Sequence, residues 1–191
     1  MQKQNHFTLV YAIALILVFS VMRIVTAALP GIFSSFSPSE TIALFSFPLF
    51  RKKSWAYLFV LPFLFTTDAI MSTLFFKTYS IFYPGWYWQY FSYFFIILLG
   101  SQCLKSASWP RVWISSLFGS FLFFVITNFG TWTTGLMYPL SFSGLMTCYT
   151  MGIPFYKTAL LSNLLFSCIF YLSFQRFQFR HSRLQLRQNN N

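Results

Sequence analysis

Val112-Trp113-Ile114-Ser115-Ser116-Leu117-Phe118-Gly119-Ser120-Phe121-Leu122-Phe123-Phe124-Val125-Ile126-Thr127-Asn128-Phe129-Gly130-Thr131-Trp132-Thr133-Thr134 runs without a charged residue. Wound as an α-helix at about 1.5 Å per residue, it exceeds the roughly 30 Å hydrocarbon core of a bilayer. The same reading extends in both directions. Upstream, Lys105 to Arg111 is a short basic turn broken by Pro110, and before it an apolar span covers about Trp86 to Leu104. A further span from about Ser54 to Phe76 contains Pro62 and Asp68, and a first one runs from about Phe7 to Leu29, stopping at Pro30-Gly31.

Between those two lies a shorter helix. Ser34-Ser35-Phe36-Ser37-Pro38-Ser39-Glu40 leads into Thr41 to Phe50, and Arg51-Lys52-Lys53 closes it. Ser37 as a cap, Pro38 at the opening and Glu40 in the first turn make a favourable N-terminus. Downstream, Gly135 to Gly152 is less regular and suits an interfacial or re-entrant segment. The sixth span is expected from near Pro154 to near Phe174.

The fold class expected is therefore all-α: a polytopic integral membrane bundle of about six helices, the second short or broken. Residues 1–175 form one transmembrane domain and 176–191 a basic tail bearing Arg176, Arg180, Arg183 and Arg187. Composition agrees. Of 191 residues 57% are hydrophobic and 8% charged, with mean hydropathy +0.61, more apolar surface than a water-soluble domain of this length can bury. The 28 Phe suit acyl chains and helix contacts alike.

Orientation follows from the cations. With the N-terminus inside, the cytoplasmic side receives Lys3, Arg51, Lys52, Lys53, Lys105, Arg111 and the four tail arginines, ten in all, and the outer side Lys77 and Lys157. That asymmetry fits an N-in, C-in chain with an even number of spans. The segment Thr8 to Met22 also has the look of a secretory signal, but Arg23 interrupts the route to a cleavage site, and retention as a first helix is expected. The net charge of +11 is dispersed as topology signals, so the partners expected are lipid rather than nucleic acid. Cys103, Cys148 and Cys168 form no CxxC pair, and His6 and His181 lie near opposite ends. No metal site or cofactor is expected. Without a phosphate loop, HExxH or GxSxG, neither is catalysis.

Ionisable groups inside a span are costly and so are candidates for function. Arg23 lies about 24 Å along its helix from Phe7, and Asp68 about 21 Å along its own from Ser54. Both fall at similar depth toward the outer side, where Glu40 enters from the second helix. Either the three build a ligand site, or an Arg23–Asp68 or Arg23–Glu40 pair locks helices together. Asn128 and Asn163 can bond a ligand's polar edge, and Trp132 or Tyr138 can stack on a planar ring. The plainer alternatives are interhelical hydrogen bonds and an interfacial aromatic. Ser115, Ser116, Gly119 and Ser120 read as close helix packing.

Asn128-Phe129-Gly130-Thr131-Trp132, Met137-Tyr138-Pro139, Cys148-Tyr149 and Ile153-Pro154-Phe155-Tyr156-Lys157-Thr158, with Arg23, Phe36-Ser37-Pro38 and Asp68, carry a resemblance over most of the chain. The sequence resembles an uncharacterised bacterial six-span membrane family. That family is similar to the substrate-binding S components of energy-coupling factor (ECF) transporters. The resemblance implies a location in the bacterial cytoplasmic membrane and capture of a vitamin-like small molecule in an outward cavity. It also implies association with a membrane coupling subunit and ATPases. The function expected is small-molecule uptake, with Arg23, Glu40, Asp68, Asn128, Trp132, Tyr138 and Asn163 as substrate-binding residues. The alternative is a scaffold or assembly protein without a ligand.

Overall fold

The computed structural model describes residues 6–27, 35–50, 52–75 and 82–189. They form six α-helices: α1 (His6–Ala27), α2 (Ser39–Phe50), α3 (Lys53–Phe75), α4 (Trp86–Cys103), α5 (Trp109–Thr133) and α6 (Phe142–Asn189). The expected stop at Pro30-Gly31, Ser34 of the second-helix lead, and Lys3, Arg51 and Lys77 lie outside the described residues, as do the side chains of Arg180, Arg183 and Arg187.

The short helix α2 is the centre of the molecule. It touches all five other helices, which also pack in sequence α1–α3–α4–α5–α6 around it. The ring closes where Phe19 of α1 meets Phe166 and Phe170 of α6, with centroids 5.4 and 5.8 Å apart. Every residue from Ser39 to Ser46 is buried, because a central helix has no outward face. Close approach is built in at Gly100 of α4, where a Cβ would stand 2.0 Å from the Leu44 carbonyl oxygen.

Around this centre small polar residues turn inward beside an apolar core, and many large apolar residues turn outward. On α5, Ser115, Ser116 and Ser120 are buried while Trp113, Ile114, Leu117, Phe118 and Phe121 are exposed; on α1, Leu17, Val18, Val21 and Val25 face outward and Ser20, Arg23 and Thr26 inward. Small hydroxyl residues inside and large apolar ones outside suit a bundle solvated by lipid. Among the described residues three helical stretches are long and apolar enough to cross a membrane, Lys53–Leu74, Trp109–Thr133 and Phe142–Arg176, while Ile13–Thr26 and Ser39–Phe50 are shorter apolar helices.

Two sequence expectations are corrected. The irregular stretch is confined to residues 135–141, and α6 begins at Phe142 rather than near Pro154. Pro154 lies inside the helix; it removes one backbone donor, but the flanking turns hold, with the Thr150 hydroxyl donating to Met146 O at 2.8 Å and Thr158 to Pro154 O at 3.3 Å. In an apolar surrounding, breaking the helix would expose more backbone than the proline costs. The helix also runs on through the basic tail to Asn189.

At about 1.5 Å per residue the 12 residues of α2 reach only about 18 Å. The longer ring helices therefore enclose space beyond both of its ends. One recess, of about 440 Å³, is lined by Phe47 and Pro48 with Lys105, Ala107, Tyr171 and Gln175. The other lies over the N-terminus of α2.

Candidate functional site

Ser37, Ser39 and Glu40 form the floor of that second cavity, of about 370 Å³. Its start is shaped by the chain's own hydroxyls: Ser37 Oγ accepts from the Ser39 amide at 3.4 Å and lies 2.7 Å from Ser39 Oγ, while Pro38 O takes the Ile42 amide at 2.9 Å. Arg23 of α1, Asp68 and Met71 of α3, Gln89 and Tyr93 of α4, Ser120, Phe123, Phe124, Thr127 and Asn128 of α5, and Gly152, Phe155 and Tyr156 of α6 form the walls. All six helices contribute.

Two polar networks hold this arrangement. The first joins α1, α3 and α4. Arg23, only 4% exposed, donates from Nη2 to Asp68 Oδ1 at 2.6 Å, and from Nη1 to Leu64 O at 3.1 Å and to the Thr67 hydroxyl. The other Asp68 oxygen accepts from Tyr90 at 2.5 Å and from Gln89 Nε2 at 3.2 Å. Tyr83, in the turn before α4, donates to Gln89 Oε1 at 2.7 Å. Desolvation of its hydroxyl, and then the Asp68 carboxylate, push that phenol up to about 12, so it remains a donor at any physiological pH.

The second network joins α2, α5 and α6. Ser120 donates to Glu40 Oε2. Asn163, fully buried, donates to Ser116 O and to Ser120 Oγ, each at 3.0 Å, and accepts from Thr41 at 2.8 Å and Ser167 at 3.3 Å. Its amide is saturated. A saturated buried amide is worth its cost as a fixed joint between helices.

The residues singled out from the sequence thus separate. Arg23, Glu40, Asp68 and Asn128 share the cavity wall; Asn163, Trp132 and Tyr138 do not. Asn163 lies beneath the cavity as a joint. Trp132 Nε1 donates to Pro139 O at 3.0 Å, pinning the 135–141 connection in which Tyr138 sits. The ion pair that forms is Arg23–Asp68, not Arg23–Glu40. Asn128 donates to Phe124 O at 2.8 Å within α5, and a Cβ on Gly152 would come 2.4 Å from its Oδ1, so the glycine leaves room for that amide at the wall.

Sequence reasoning missed Gln89, Tyr90 and Tyr93. Their signal was present, since Gln89 and Tyr93 are four residues apart and share a helix face, but they carry no charge to stand out from the aromatic run around them. Ser120 was read as packing alone. Among the described residues no group of three His, Cys, Asp or Glu side chains could hold a metal ion.

A ring of helices with apolar outer faces and small polar residues buried among its apolar core, three of its stretches long enough to cross, marks the chain as an α-helical membrane protein. It belongs to a family of unknown function (DUF6580), whose model matches residues 2–185. No curated protein and no solved structure matches it.

Proposed function

We propose that the chain is a non-catalytic uptake component that captures a small molecule in the cavity over α2. The observation that carries this reading is the cavity itself: about 370 Å³ of space, with Glu40, Asp68, Arg23 and Asn128 on a wall otherwise rich in aromatic rings. Pre-formed, mostly apolar cavities with a few convergent polar groups are the usual form of small-molecule sites. In this reading all six helices cross or enter the cytoplasmic membrane of a bacterium, with both termini inside. The cavity, at the end of the bundle reached by the C-termini of α1, α3 and α5, then faces outward. Size, helix number and topology would match S components of ECF transporters, and the partners would be a membrane coupling subunit and ATPases.

The competing reading is a scaffold, and the saturated Asn163 joint favours it. Ala159, on the cavity wall, tests the outward opening that uptake requires. With Cys103, Cys148 and Cys168 replaced by alanine, an Ala159→Cys chain should react with a membrane-impermeant maleimide added to intact cells. A thiol that reacts only after permeabilisation, or not at all, contradicts an outward-facing site.

A further inference from the structure

If the cavity is a small-molecule site, the charges on its wall assign the class of ligand. Its acidic and cationic side chains are Arg23, Glu40 and Asp68. Arg23 is spent on Leu64 O, Thr67 and Asp68, and both Asp68 oxygens are occupied, by Arg23 on one side and by Tyr90 and Gln89 on the other. Glu40 differs. It is 5% exposed, its bond is the one from Ser120, and the ion pair formed among the described residues is Arg23–Asp68 alone. Among the described residues the wall therefore carries one carboxyl group without a counter-ion and no uncommitted cation.

A desolvated carboxylate without a counter-ion is costly. Its place in the first turn of α2 favours negative charge, through the helix dipole and free amides. The cavity has room for more than a few waters, each of which occupies about 30 Å³. Its walls present the rings of Tyr93, Phe123, Phe124 and Tyr156, with Phe124 and Tyr156 paired at 4.8 Å between centroids. Aromatic faces attract cations. An anion would meet Glu40 and would have to displace Asp68 from Arg23.

We propose that the cavity takes a monovalent organic cation, a protonated amine or a positively charged nitrogen heterocycle on a flat apolar body, with Glu40 as its counter-ion. The test uses three probes of one shape, benzylamine, benzyl alcohol and benzoate, titrated by saturation-transfer NMR into the full chain in phosphatidylcholine nanodiscs at pH 7. Benzylamine should bind saturably and the other two should not. Glu40→Gln should weaken benzylamine by about tenfold or more. Phe124→Leu, which keeps Glu40, should weaken it by about threefold or more. Benzyl alcohol or benzoate binding as tightly as benzylamine, or benzylamine binding unchanged by Glu40→Gln, would overturn the cation assignment while leaving a small-molecule site. Saturable binding of none of the three would overturn the assignment together with the cavity reading. The order of the three probes on the unmodified chain needs no variant, so misfolding of Glu40→Gln does not remove the test.

Discussion

Arg23 has three partners, and Asp68 supplies the only negative charge among them. Asp68→Asn keeps the shape but leaves the guanidinium buried without a counter-ion, which should destabilise the chain by about 3–5 kcal/mol. Removing both charges, as Arg23→Leu with Asp68→Leu, should cost clearly less than Asp68→Asn alone. Thermal unfolding in one detergent measures all three, and a double variant as unstable as the single one would contradict the pairing. Asn163→Leu removes the amide's four bonds, to the Ser116 carbonyl and the hydroxyls of Ser120, Thr41 and Ser167, and should cost about 1–3 kcal/mol. At this scale the sequence was readable where a charge interrupts an apolar run. Arg23 and Asp68 stand out against their neighbours, and helix rise alone placed them at one depth. Asn163 and Asn128 are the same residue type in similar surroundings. Which faces a cavity and which a neighbouring helix depends on rotation about the helix axis, and runs apolar on every side do not reveal it.

The contact between α2 and α4 rests on backbone proximity at Gly100. Gly100→Ala forces a methyl onto the Leu44 carbonyl, 2.0 Å from the ideal Cβ, whereas at Gly119 the nearest atom, Asn163 Nδ2, is 3.8 Å away. The first substitution should lower stability by about 1–3 kcal/mol and the second by less than about 1 kcal/mol. Equal melting temperatures for the two variants would contradict the close approach of α2 to α4. The N-terminus of α2 was legible because Ser37, Pro38 and Glu40 are local signals. Its place at the centre of the ring was not, since every contact that puts it there is distant in sequence. The start of α6 was misplaced for the opposite reason. Pro154 and Gly152 are strong local breakers, and the apolar surroundings outweigh them.

For the molecule as a whole, the inward serines and outward phenylalanines explain a composition that no water-soluble chain of this length could hide. The cavity follows from length, because a 12-residue helix inside a ring of longer ones leaves its ends unfilled. Sequence alone recorded that shortness as a possible broken span and did not reveal the space it creates. The excess of cations in alternate connections predicts both termini on the cytoplasmic side, so reporter fusions after Asn191 and before Met1 should report the same compartment. Opposite compartments would require an odd number of crossings, and both termini outside would turn the cavity inward. The central claim, that the space over α2 holds a small molecule, is tested most directly by mass spectrometry of what stays with the purified chain. The account predicts a specific metabolite released on denaturing the unmodified protein and missing from Glu40→Gln prepared in parallel. Protein that comes through empty from several growth conditions would contradict it, whereas a metabolite retained equally by both chains would leave the site and remove Glu40 as its counter-ion.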